Sequence, residues 1–193
     1  MSGSEVWWMS LGPPTPIPLS NAMHLVVVQR TRPEGSTRGS TGAAASLARM
    51  RRVSRSPDDV LAALPDDVRP DMVRLDALIS EALPGRSRVV WEGVFWGGTE
   101  QQIIGYGDLL QPPARGEAVE WFVAGLARQQ KAISVYVNAV DDGRYLLSAY
   151  AGRLGRARTG SASLSFKRPE DLDLEAFTEL VRRAGELCPP SPG

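Results

Sequence analysis

The 193-residue chain has one cysteine, Cys188, one histidine, His24, and two lysines, Lys131 and Lys167. A lone cysteine cannot close an intramolecular disulfide, which fits a reducing compartment. One Cys and one His cannot assemble a zinc site of Cys and His ligands. With no histidine after residue 24, Ser-His-Asp and Cys-His nucleophile arrangements are missing from everything downstream. No apolar run approaches the roughly 20 residues of a membrane span. The run Leu25 to Val28 follows Pro-rich sequence and is too short for a signal-peptide core. These absences predict a cytoplasmic protein with no membrane partner and no resident cofactor.

Charge is balanced overall, with 22 Lys plus Arg against 22 Asp plus Glu, but not along the chain. Through Pro57 there are seven arginines and two glutamates, a net of +5, so the remainder carries −5. An acidic domain behind a basic tail argues against nucleic acid as a partner, because phosphate neutralisation needs clustered Lys or Arg. The length suits one domain with a core of its own.

Residues 1–55 contain Trp7-Trp8, "PPTPIP" and the tract "RPEGSTRGSTGAAAS", which offers little to bury against the entropy of ordering. They are expected to form a disordered basic tail, read either as an extension ahead of a start at Met50 or as a partner-binding arm. The character changes at Ser56-Pro57-Asp58-Asp59, where a capping serine, a first-turn proline and two acids signal a helix start. A second helix, with Pro70 in its first turn, carries Met72, Leu75, Ile79 and Leu83 at helical spacing and stops at Pro84-Gly85. From Arg88 the period becomes two: "RVVWEGVF" puts Val89, Trp91 and Phe95 on one face and Val90, Glu92, Val94 and Trp96 on the other. Gly97-Gly98 then reads as a turn and "QQIIGYGDLL" as the returning strand. "AVEWFVAGLA" and "AISVYVNAV" read as two more strands, and Asp141-Asp142-Gly143 as the opening of a helix closed by Gly155. "SASLSFKR" is a last strand, after which Asp173 caps a helix with Leu174, Phe177, Leu180, Val181, Ala184 and Leu187 on one stripe. The order predicts an α+β domain over residues 56–188, an antiparallel β-sheet with helices packed on one face.

Three ordered blocks, "FWGGTEQQIIGYGD", "WFVAGLARQQKAISVYVN" and "LGRARTGSASLSFKRPEDLDLEAFTELV", resemble the YdhG-like family, known as domain of unknown function 1801, some of whose members are frataxin-like. The likeness covers Ser56 to Leu187. It implies a compact α+β fold in the cytoplasm and little about function; some members of the family are described as iron chaperones. The chain departs from the family's pattern at Ser161-Ala162-Ser163, where relatives carry Lys-x-Cys after the Thr-Gly.

Three constellations are candidate sites. Arg128 and Lys131 at a strand bend, Arg153, Arg156 and Arg158 after the third helix, and Lys167 on the last strand would clamp a carboxylate or phosphate if their loops meet at one sheet end. The alternative is that they are solvated cations paired with nearby acids. Among the aromatics Trp91, Trp96, Tyr106, Trp121 and Tyr136, Trp96 and Tyr106 are assigned to a ligand-lining cleft, against the reading that all pack as cross-strand pairs. Glu92 lacks an evident second carboxylate for acid and base work. Asp58, Asp59, Asp66, Asp67, Asp71, Asp76, Glu170, Asp171, Asp173 and Glu175 are oxygen ligands suited to a hard cation, although acids at helix starts are expected from capping alone. The sequence therefore favours a non-enzymatic domain that binds an anionic small molecule or a protein partner. A frataxin-like iron chaperone is the second reading, and an enzyme using Arg, Lys, Tyr or Glu groups the third.

Overall fold

The computed structural model describes residues 50–95, 99–111 and 119–190. The tail of residues 1–49, the Gly97-Gly98 turn and Trp96 lie outside the described residues. Within them, α1 (Pro57–Ala62) and α2 (Arg69–Ala82) precede the strands β2 (Arg88–Phe95), β3 (Thr99–Gln111), β4 (Val119–Arg128) and β5 (Ile133–Val137). A short strand β1 (Arg51–Val53) comes before them. After β5 come a two-stranded ribbon of β6 (Val140–Asp141) and β7 (Arg144–Tyr145), the single-turn helix α3 (Leu147–Tyr150), strands β8 (Arg158–Thr159) and β9 (Ser163–Phe166), and helix α4 (Leu174–Leu187). The main sheet runs β1-β2-β3-β4-β5-β9-β8, and every neighbouring pair is antiparallel. The architecture is the expected α+β one.

The helices form where their caps and stripes say they should. Ser56 Oγ accepts from the backbone N–H of Asp58 to start α1, and the Asp173 carboxylate accepts from Ala176 N–H to start α4. The stripes Met72, Leu75 and Ile79 of α2 and Phe177, Leu180 and Val181 of α4 are buried against Val90, Ile104, Leu126, Val135 and Leu164 of the sheet. This layer is the main core, and the hydrophobic effect acting on it sets the orientation of the sheet.

Two segments differ from expectation. Arg51–Val53, placed in the tail by composition, pairs with β2 through Arg51 opposite Glu92 and Val53 opposite Val90. Two arginines and a valine between Met50 and Ser54 carry too little alternation to be read as a strand; the partner supplies the order. Asp142-Gly143 does not open a helix: with φ of 47° and 76° the two residues turn the β6–β7 ribbon, the Asp-Gly signature of a tight hairpin. The helix that follows is accordingly one turn long, yet Leu146, Leu147, Tyr150 and Leu154 are buried as the periodicity requires.

Among the described residues, no helix covers the second face of the sheet. A smaller cluster of Trp91, Ile103, Phe122, Ala127 and Tyr136 lies there, with Met50, Val89 and Trp121 against it. The cross-strand pair Gly105 and Gly125 makes room for two of its rings. A Cβ on Gly105 would sit 2.7 Å from Trp91 Nε1, and one on Gly125 would sit 2.5 Å from Phe122 Cε2. Trp91 meets Trp121 edge-on at a centroid distance of 5.2 Å, and Trp121 stacks on Phe122 at 4.6 Å. Gly125→Ala is therefore expected to destabilise the fold by about 1–3 kcal/mol through overpacking. Gly152→Ala, where nothing lies within 4 Å of the new Cβ, is expected to be neutral or slightly stabilising. Urea unfolding of the two variants checks this.

Candidate functional site

The register brings the predicted cations to one end of the sheet. Arg128 pairs with Ile133, and Ile133 with Phe166, so that Lys131 in the β4–β5 bend and Lys167 just after β9 are neighbours. A second row runs Ala127, Ser134, Ser165, Arg158 across four strands. Because Ala127 belongs to the helix-free cluster, this row places Arg158 on the helix-free face beside two serines. The next row inward holds Gly125, Tyr136 and Ser163. Tyr136 donates its hydroxyl to Gln101 Oε1 at 3.0 Å, and burial raises its pKa.

The predicted clamp does not form as a unit. Arg128 donates to the carbonyls of Ala132 at 3.0 Å and Gln130 at 3.3 Å, so its guanidinium closes its own bend. Arg156 is tied to Asp171 at 2.9 Å, with its backbone N–H on the Asp171 carbonyl. Asp171 also accepts from the backbone N–H groups of Arg168 and Lys167. The Arg168 N–H is the largest cause holding the Asp171 carboxyl below its usual pKa, with lesser contributions from Lys167 and Arg156. Arg153 pairs with Glu179, which also accepts from the Tyr150 hydroxyl. Lys131, Arg158 and Lys167 are exposed, and none of them has a carboxylate partner within ion-pair distance among the described residues.

The other predicted residues separate by face. Tyr106 is 1% exposed and belongs to the helix-side core, whereas Trp91, Trp121 and Tyr136 belong to the helix-free cluster; the aromatic set is therefore two groups. Glu92 accepts from Gln102 Nε2 at 2.6 Å and stands 3.7 Å from Arg55, which makes it a neutralised strand glutamate. Five of the ten acids considered for a cation are paired with arginines: Asp66 with Arg69, Glu170 with Arg74, Asp58 and Asp76 with Arg88, and Asp171 with Arg156. Among the described residues no group of three or more His, Cys, Asp or Glu side chains is placed to hold a metal ion.

Sequence reasoning missed the polar centre under the helix layer. Arg88 at the start of β2 grips Asp76 of α2 with Nε and Nη2 at 2.8 and 2.9 Å and reaches Asp58 with Nη1 at 2.9 Å. The Tyr106 hydroxyl donates at 2.7 Å to Asp76 Oδ1, the oxygen that also accepts from Arg88 Nε. Asp76 lies on α2 between Leu75 and Ile79, a position that reads as an ordinary acid on a solvated face, and only the pairing with β2 and β3 turns it inward. Beside this network, a small cleft of about 200 Å³ is lined by Ser80, Leu83, Gly85, Arg86, Ser87, Arg88 and Tyr106. Tyr106, assigned to a ligand cleft from sequence, does line this one, but with its hydroxyl already engaged.

Arg88→Ala would strand the Asp76 carboxylate, whose side chain is 13% exposed, and is expected to cost about 3 kcal/mol in denaturant unfolding. The pKa of Tyr106 is pushed well above the usual value by burial first and by the charge and hydrogen bond of Asp76 second, with Arg88 opposing. The folded state thus holds this proton more tightly than the unfolded chain. Its contribution to stability is complete below about pH 10 and is lost as pH rises beyond that value. Tyr106→Phe is expected to flatten the fall in stability above about pH 10, measured by urea melts, while leaving the part due to Tyr136 and Tyr150, whose pKa values burial also raises.

No helix among the described residues is long and apolar enough to cross a membrane. No family model, curated protein or solved structure matches the chain.

Proposed function

We propose that the protein is a non-enzymatic binding domain of the cytoplasm that docks an acidic protein surface on the basic end of its sheet. The observation that carries this reading is the convergence of Lys131, Arg158 and Lys167, exposed and without carboxylate partners among the described residues, next to the row Ala127, Ser134 and Ser165. Small and hydroxyl side chains leave the sheet surface low, so that another protein can approach the strands closely. Three cations at the border of such a face supply steering and register more than raw affinity. The internal ties of Arg128 and Arg156 argue against a closed clamp around a small anion at this end, and for an open, shallow contact.

The reading is tested with poly-glutamate as a stand-in for the acidic surface, followed by fluorescence anisotropy at low salt. The triple variant Lys131→Glu, Arg158→Glu, Lys167→Glu is expected to bind at least about tenfold more weakly and with a shallower salt dependence. A variant carrying Arg144→Glu and Arg182→Glu, exposed cations elsewhere, is expected to bind nearly as wild type does. Equal losses in the two variants would mean that net charge alone governs binding and would remove the proposed site.

A further inference from the structure

At one border of the sheet, β1 fills a groove whose walls belong to other strands. Its residues pair with Val90, Trp91 and Glu92 of β2, and β1 is the outermost strand on that side among the described residues. Side chains alternate between the two faces of a strand, so Met50 and Arg52 share the helix-free face and Val53 lies on the helix side. Met50 packs against the aromatic cluster, and Val53 against the main core. The Arg52 guanidinium lies 5.3 Å above the Trp91 ring, pairs with Asp108 of β3 and stands 3.7 Å from Glu120 of β4. An apolar residue, an arginine two positions on and a second apolar residue after it thus occupy the aromatic border, the pair of carboxylates and the rim of the core.

The hold on β1 is slight. The side chains of Arg52, Asp108 and Glu120 are 37%, 56% and 69% exposed, and ion pairs at such exposure contribute little and are screened by salt. The ladder is three residues long, and Ser54 and Arg55 alone join it to the Ser56 cap of α1. The edge of β2 also outruns its occupant: β2 continues through Gly93 and Val94 to Phe95, where no strand pairs on that side among the described residues. A longer extended segment would gain backbone hydrogen bonds there that β1 does not make.

We propose that this edge is a docking groove for an extended segment of a partner protein bearing an apolar residue, an arginine two positions later and an apolar residue next, and that β1 is a strap filling the groove until such a segment displaces it. Main-chain pairing along β2 supplies the affinity of this mode of binding, and Trp91, Asp108 and Glu120 select the arginine. The groove uses none of Lys131, Arg158 and Lys167 and stands apart from the acidic-surface reading.

Hydrogen exchange and two-dimensional NMR on the full chain test the proposal, with a probe peptide made of Thr-Val-Thr followed by the sequence of residues 50–55. The amides of β1 are expected to exchange about two- to fivefold faster in high salt than in low, while those of Ala124 and Val135 stay unchanged. Arg52→Glu sets a like charge beside Asp108 and Glu120 and is expected to free the groove with the core amides still protected. That variant is expected to bind the probe at least about tenfold more tightly than wild type, whose own strap competes, with shifts at Val90, Trp91 and Glu92. A probe with glutamate in place of its second arginine is expected to bind the variant at least about tenfold more weakly. Arg52→Ala, with the same expected order of affinities, carries the test if the charge reversal prevents folding. Equal binding of the probe by wild type and variant, no shifts along β2 at millimolar probe, or equal binding of the two probes would each overturn the docking groove. Exchange of the β1 amides only together with those of Ala124 and Val135 would overturn the strap.

Discussion

Burial of the stripes of α2 and α4 against one face of the seven-stranded sheet is the constraint from which the rest of the structure follows. Helices occupy that face because their apolar positions have nowhere else to go. The opposite face, left without a helix among the described residues, must then be closed by its own side chains. The rings of Trp91, Trp121 and Phe122 do this at one end, with Arg52 5.3 Å above Trp91 and linked to Asp108 and Glu120 of β3 and β4. At the other end the closure is by small residues and serines. A single protein thus presents an aromatic half and a hydroxyl half on one surface.

The same layering explains the polar centre. A carboxylate on the inner side of α2 is tolerable only if its charge is matched and both oxygens accept hydrogen bonds, and Asp76 receives two donors from Arg88 and one from Tyr106. These three side chains come from α2, β2 and β3, so they also fix how the helix sits along the strands. The cleft of Ser80, Arg86 and Ser87 opens at the end of this arrangement, where α2 stops and the chain turns through Gly85 into β2.

Much of the fold was legible in the residues. The Ser56 and Asp173 caps, Pro70 in a first turn and the period-two pattern from Arg88 to Phe95 are local signals, and each marks the element observed. Where the signal was misassigned, at Asp142-Gly143, a tight-turn motif lay beside a helical apolar pattern, and the turn comes first in the chain. The candidate site was legible only in part. Lys131, Arg158 and Lys167 were recognisable as cations on loops and strand ends, but nothing in their spacing could separate them from Arg128 and Arg156, which look alike in sequence. The pairing of Arg88 with Asp76 was not recognisable at all, since an arginine at a strand start and an acid on a helix carry no sign of each other.

By itself, the sequence determined the main helices and strands, the apolar stripes that face inward, and the absence of the Cys and His groups that a zinc site or a nucleophile-histidine pair needs downstream of residue 24. Capping, periodicity and composition are properties of neighbours within a few positions, and so they can be read in order along the chain. Tertiary structure alone decided which arginines are consumed by carbonyls and carboxylates, that Asp76 and Tyr106 meet 30 positions apart, and that Gly105 and Gly125 face one another beneath two rings. Those outcomes depend on strand register and on the packing of helices across it, and a change of one residue in register would pair different side chains throughout.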